Sequence, residues 1–223
     1  YPPHLSFTSL EKARAEHELI KLGIPSGAKW VCLVVRDDAK HPHLPYHSYR
    51  NVDIKTYVPA VKKLVEKGYY VVRMGKQVLS PLPIEHPMVI DFAMKEPYDD
   101  FLAVYLGAYC SFCISTGTGP DAIPYIFRRP IVYTNYAPIE YLFTFAKDSL
   151  AIWKHHEKEG KRMTLEEIYK SGAGQFMATP DFEDAEIKLV DNSPEEIEGG
   201  ATEMCTGSDF KPSTTDQSEF WSK

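Results

Sequence analysis

Four short stretches carry side chains able to grip an anion: Arg36-Asp37, Arg73 with Gly75, the run Ser115-Thr116-Gly117-Thr118-Gly119, and Thr134-Asn135. The residue types have definite uses. Glycines let backbone N–H groups approach phosphate oxygens, Ser and Thr hydroxyls add donors, and arginine offers a planar fork that stays charged at any working pH. A helix starting at Pro120, where the missing N–H costs nothing, would have Gly119 as its cap and set partial positive charge behind the glycine run. Arg50-Asn51 adds a further cation and amide, with capping of a helix at Asp53 as its structural alternative. Two or three guanidiniums, a row of hydroxyls and a helix start form the inventory of a diphosphate site.

Those residues matter together only if secondary structure brings them to one edge. The continuous apolar run WVCLVV at 30–35, followed by Arg36-Asp37-Asp38, predicts a central strand buried on both faces. Further strands are predicted over 69–74, 88–92, 110–115 and 130–134, and another over 149–153. Helical spacing covers 9–22, closed by Gly23-Ile24-Pro25, then 53–67, regular from Thr56 because of Pro59, then 98–108 and 120–127. Short helices are expected after Thr164 and Ser193, where a capping residue precedes glutamate by three positions. The segment 38–51, rich in His, Pro and Tyr, reads as a long loop. Strands alternating with helices predict an α/β fold with a doubly wound, Rossmann-like parallel sheet and flanking helices. In such sheets ligands bind outside the carboxyl ends of the strands, which is where the four anion-gripping stretches fall.

The 223 residues suit one large domain with appendages: a helical lead-in over 1–28, a Rossmann-like domain over 29–204, and a polar tail over 205–223 that carries Phe220-Trp221. The start at Tyr-Pro-Pro rather than methionine predicts a piece of a longer protein or a processed product. A net charge of −6 without a long basic run argues against nucleic-acid partners. No apolar run approaches the roughly 20 residues of a membrane span, and no signal peptide opens the chain, so a cytoplasmic location is expected. Cys32, Cys110, Cys113 and Cys205 form no disulfide framework. Cys110 and Cys113, three apart on a predicted strand, would face opposite sides of the sheet, and buried packing outweighs redox or metal chemistry.

Each candidate also has a plainer role. Arg36-Asp37 suits an exposed ion pair, worth about 0–1 kcal/mol, and Gly117 and Gly119 suit a tight turn. His41, His43 and His47 suit solvated loop positions, and His155-His156 opens a charged run of the kind found on solvated faces. Asp91 could receive a ribose hydroxyl or cap the next segment. The dinucleotide fingerprint is missing, because the first strand leads into Arg36-Asp37-Asp38 and the only G-x-G, at Gly117 and Gly119, lacks the third glycine. No phosphate loop of the G-x-x-x-x-G-K-[ST] type occurs. What favours a ligand site is the recurrence of these groups at successive strand ends.

VCLVVRDD, then HSYRNVDIKTYVPAVKKLVEKGYYVVRMGK, MVIDFA and FLAVYLGAYCSFCISTGTGPDAIPYIFRRPIVYTN, spanning roughly 29–154, resemble a family of bacterial glycosyltransferases. That family is similar to the fucosyltransferase and heptosyltransferase branches of the GT-B architecture, and DNSPEEIEGGATEM fits its closing region. The resemblance implies the C-terminal, donor-binding half of a two-lobed enzyme, with the N-terminal half either missing here or reduced to the helix over 9–22. It further implies metal-independent transfer of a sugar from a nucleotide diphosphate donor, a substrate rather than a cofactor, to a glycan or protein acceptor. Arg36 matches the arginine that meets the diphosphate in the H-x-R pattern, with Val34 where the family has histidine, and residues 115–119 match the donor loop. Asp37, Asp38 and His47 stand as base candidates, with none singled out. The alternatives are a binding module without turnover and a sugar-nucleotide epimerase of the same fold. Asp121 departs from a phosphate-binding pattern, since a carboxylate there repels the ligand.

Overall fold

The computed structural model describes residues 2–39, 43–143 and 148–206. The predicted alternation is present as β1 (Trp30–Val34), β2 (Tyr70–Met74), β3 (Val89–Asp91), β4 (Phe112–Ser115), β5 (Ile131–Tyr136) and β6 (Leu150–Trp153). These form one sheet in the order β3-β2-β1-β4-β5-β6, with every neighbouring pair parallel. Both faces are covered, which is why the strands read as unbroken apolar runs. Val31 and Leu33 of β1 pack toward α2 (Val58–Glu66) and α7 (Pro194–Cys205), through Ala60, Val61, Leu64, Ile197 and Ala201. Cys32 and Val34 pack the other way, toward α1 (Ser9–Lys21) and α3 (Asp100–Tyr109), through Ala15, Leu19, Leu102 and Leu106. The lead-in helix therefore shares the main core. A capping box between Thr8 and Glu11 starts it, and Ser193 with Glu196 starts α7 in the same way.

Beyond β6 the chain builds what periodicity did not predict. β7 (His155–Lys158), β8 (Lys161–Arg162) and β9 (Ile187–Val190) make a small antiparallel sheet in the order β8-β7-β9. With α5 (Leu165–Ser171) and α6 (Thr179–Asp184) it encloses a satellite core around Ile168, Phe182 and Ile187. His155-His156 thus begins a strand rather than a solvated run, and His156 is 1% exposed. The loop 38–51 contains a 3-10 helix, Pro45–Arg50, whose Tyr49 joins that satellite core.

Two local expectations are corrected. The helix foreseen from Pro120 opens as a 3-10 turn, Gly119–Asp121, capped by Thr118 rather than Gly119, and continues only as the five-residue α4 (Ala122–Ile126). Cys110 lies at the end of α3 and only Cys113 is in β4, so strand alternation does not separate them, and with Cys32 they share one core. Among the described residues no helix is long and apolar enough to cross a membrane. His41 and the stretch 207–223, with Phe220 and Trp221, lie outside the described residues.

Candidate functional site

The chain leaves β1 toward β2 and β3 on one side and returns to place β4 on the other, so the crevice between the carboxyl ends of β1 and β4 is the sheet's switch point. Thr116 bridges it: its N–H donates to Val34 O at 3.1 Å and its Oγ1 accepts from Arg36 N at 3.0 Å. Beside this bracket opens a cavity of about 270 Å³, the volume of roughly nine waters at ~30 Å³ each. His47, Tyr49 and Arg50 line one side, and Gly117, Thr118, Gly119 and Asp121 line another. Tyr133, Tyr136 and Tyr141, with Phe143 and Met177, close the rest.

Several donors of the glycine loop are taken up within the chain. Asp121 Oδ2 accepts from Ser115 Oγ at 2.7 Å and from Thr118 N at 2.9 Å, while Asp121 N donates to the backbone carbonyl of Thr118 at 3.1 Å. Gly117 N donates to Ser115 Oγ at 3.1 Å, and Gly117 O accepts from Arg50. Ser115, Gly117 and Thr118 thus bond to one another or to a carboxylate of the same chain, in the place where a phosphate was expected, while Thr116 is taken up by Val34 and Arg36. Burial raises the pKa of Asp121, and the hydrogen bonds from Ser115 and Thr118 and the charge of Arg50 oppose that rise. Gly117 has φ +74°, and a Cβ there would stand 2.6 Å from Cε2 of Tyr136. Its glycine serves a left-handed turn under an aromatic ring.

Positive charge gathers instead at Arg36 and Arg50. Burial lowers the pKa of Arg36, and the neighbouring charge of Arg50 lowers it further, against the pull of Asp38 and Asp37. The Nε atoms of Arg36 and Arg50 are both buried without a hydrogen-bond partner among the described residues. Two neighbouring like charges favour an anion beside them.

The aromatic wall was not legible as a site. Tyr133 and Tyr136 sit three apart on β5, where simple alternation would send them to opposite faces. The register shifts between them against β6, and Asn135 takes φ +52°, so the two rings meet edge-on with centroids 5.1 Å apart. Burial pushes the hydroxyls of Tyr133, Tyr136 and Tyr49 above the ordinary tyrosine pKa. The one available signal was the YTNY sequence at a strand's carboxyl end.

Several expected ligand residues serve the fold. Arg73, 1% exposed, reaches Asp91 at 3.3 Å, its cross-strand partner on β3, and Asp37 at 3.9 Å, and it donates to Ser80 O. It lines a separate cavity of about 120 Å³ that also touches Asp37 and Asp53. Asp37 accepts from Ala39 N and Leu79 N, and Asp91 from Leu82 N, so both carboxylates anchor loop backbone. Gly75 is a turn residue at φ +144°. Asn135 is buried and exchanges backbone-to-amide bonds with Asn192, while its Nδ2 donates to Tyr57 OH at 3.2 Å. Asn51 binds Asp38 through its amide, and its carbonyl accepts from Lys154 at 2.9 Å. Of the three base candidates, His47 alone lines the cavity beside Arg50.

Elsewhere, His155 sits between Glu196, at 2.9 Å, and Arg162. Cys32, Cys110 and Cys113 are all buried; the hydrogen bond with Cys110, followed by burial, drives the thiol of Cys32 far above its usual range. Among the described residues no group of three or more His, Cys, Asp or Glu is arranged to hold a metal ion. No family model, curated protein or solved structure matches the chain.

Proposed function

We propose that this chain is the donor-binding half of a GT-B-like glycosyltransferase, holding a nucleotide diphosphate sugar with its diphosphate between Arg36 and Arg50. Paired with an acceptor-binding half, it transfers the sugar to a glycan or protein. The observation that carries this reading is the neighbouring pair of positive charges, Arg36 at the switch point and Arg50 on the wall of the cavity beside it. When a glycosidic bond breaks, charge grows on the leaving diphosphate, and donors already fixed in place stabilise it without reorganising. The reaction class comes from the resemblance of residues 29–154 to GT-B transferases, and the mode of diphosphate binding departs from that pattern because Asp121 occupies the glycine loop.

The same carboxylate favours a second reading, a module that binds nucleotide sugar without turnover. Calorimetric titration with UDP, GDP and ADP, followed by donor-hydrolysis assays, separates the two. At least one nucleotide should bind, and Arg36→Ala and Arg50→Ala should each weaken it about 10- to 100-fold, the loss of a charged hydrogen bond. Binding without hydrolysis, also when the acceptor-binding half is supplied, selects the module. If none of the three nucleotides binds at millimolar concentration, or both arginine variants bind as the parent does, the diphosphate site is wrong.

A further inference from the structure

We infer that the aromatic cavity is the sugar subsite and that Asp121 is its specificity residue, accepting a hydrogen bond from a hydroxyl of a neutral sugar and excluding sugars that carry a carboxylate. This deepens the reading of Arg36 and Arg50 as the phosphate grip and rests on it. Three observations converge. The cavity holds roughly nine waters' volume at ~30 Å³ each, which suits one pyranose ring rather than a whole nucleotide sugar. Four tyrosines, Tyr49, Tyr133, Tyr136 and Tyr141, are among its lining residues, and aromatic rings offer apolar surface for a sugar ring, with a few polar groups to fix orientation. Arg50 stands at one side of the same space, so a ring seated among the tyrosines can turn its anomeric phosphate toward that arginine, whose charge neighbours Arg36.

Asp121 then decides which sugars fit. Ser115 Oγ and Thr118 N both donate to Oδ2, and no donor among the described residues meets Oδ1. A lining carboxylate with one oxygen held and the other unclaimed is an acceptor set for a ligand hydroxyl. A uronate at that position would face a like charge in a partly dry site. The two bonds to Oδ2 also fix what substitution does. In Asp121→Asn the amide oxygen must take over both internal donors, so the NH2 turns to the unclaimed position and an acceptor becomes a donor.

The test is calorimetry with inorganic phosphate and with matched sugar 1-phosphates: glucose against glucuronate, and galactose against galacturonate. The parent chain should bind the neutral member of at least one pair about tenfold more tightly than its uronate, and Asp121→Asn should erase or reverse that ratio by about tenfold or more. Tyr141→Ala, at a half-exposed wall residue, should weaken the neutral sugar phosphates while leaving inorganic phosphate unchanged; this readout stands even if the Asp121 variant fails to fold. The inference is overturned if no sugar phosphate binds better than inorganic phosphate, if the neutral-to-uronate ratio is the same with and without Asp121, or if Tyr141→Ala weakens inorganic phosphate equally. A chain that shows this selectivity but binds no nucleotide keeps the sugar subsite and loses the transferase reading.

Discussion

Replacing Arg73 by methionine separates a structural guanidinium from a ligand-binding one. Arg73 is 1% exposed, and its loss strands two carboxylates: Asp91, 3.3 Å from Nη1, and Asp37, 3.9 Å from Nη2. Removing one member of a buried ion pair costs about 3–5 kcal/mol, mostly because the survivor stays charged and unpaired. Here the side chains of Asp91 and Asp37 keep 20% and 18% exposure and accept backbone N–H groups from Leu82 and Leu79, so they recover some solvation. The lower end, about 3 kcal/mol, is therefore expected. For a chain of this size that lowers Tm by roughly 6–12 °C. Arg73→Met with Asp91→Asn should recover much of the loss, since the stranded charge is then removed. Urea unfolding measures the stabilities, and phosphate or nucleotide titration of the folded fraction should give the parent's affinity. An Arg73→Met chain that is as stable as the parent yet no longer binds phosphate would refute this account and return Arg73 to the ligand site.

Gly117→Ala should cost at least about 1–2 kcal/mol for its left-handed backbone, and more for the 2.6 Å approach to Tyr136; unchanged stability and sugar-phosphate affinity would show that the ring does not depend on this turn. Burial lowers the pKa of His156 below 6.5, so the unfolded chain takes up the proton first. The stability that the neutral ring contributes is present above pH ~6.5 and is lost as pH falls below it, at up to about 1.4 kcal/mol per pH unit. His156→Gln should flatten that part of the urea-midpoint profile, and an identical slope would contradict the assignment. Tyr57, buried with its pKa pushed up to about 12, keeps its proton while the unfolded tyrosine ionises near 10. Stability should therefore fall as pH rises through that interval, less steeply in Tyr57→Phe. Ellman's reagent should titrate no more than one native thiol, at half-buried Cys205, and four after unfolding; rapid reaction of two or more would mean the Cys32 core opens readily.

Much of the fold was legible because its signals are local. Unbroken apolar runs marked strands covered on both faces, and Thr8 with Glu11, Thr164 with Glu167 and Ser193 with Glu196 announced helix starts through bonds that span three residues. The antiparallel sheet escaped notice because β8 is two residues long and β7 reads HHEK, too short and too polar to show a period. His156 is buried by Phe182 and its neighbours from distant sequence, which no window around it could reveal.

For the site, sequence fixed the edge and structure chose the residues. The rule of strand ends, applied to apolar runs alone, led to the switch point where Arg36 meets Thr116. It could not tell which polar groups there were already spent, because hydrogen-bond partners are set by approach in space. Asp91, 18 positions from Arg73 in sequence but opposite it across two strands, claims that guanidinium, and Asn192, 57 positions from Asn135, claims that amide. Asp121 reaches back only six residues to Ser115, yet it fills the loop only because a 3-10 turn tightens the chain there. Residue types set which chemistry the rim could hold, and the pairing of buried donors with acceptors decided which of those groups, Arg50 and the tyrosines among them, line an open cavity.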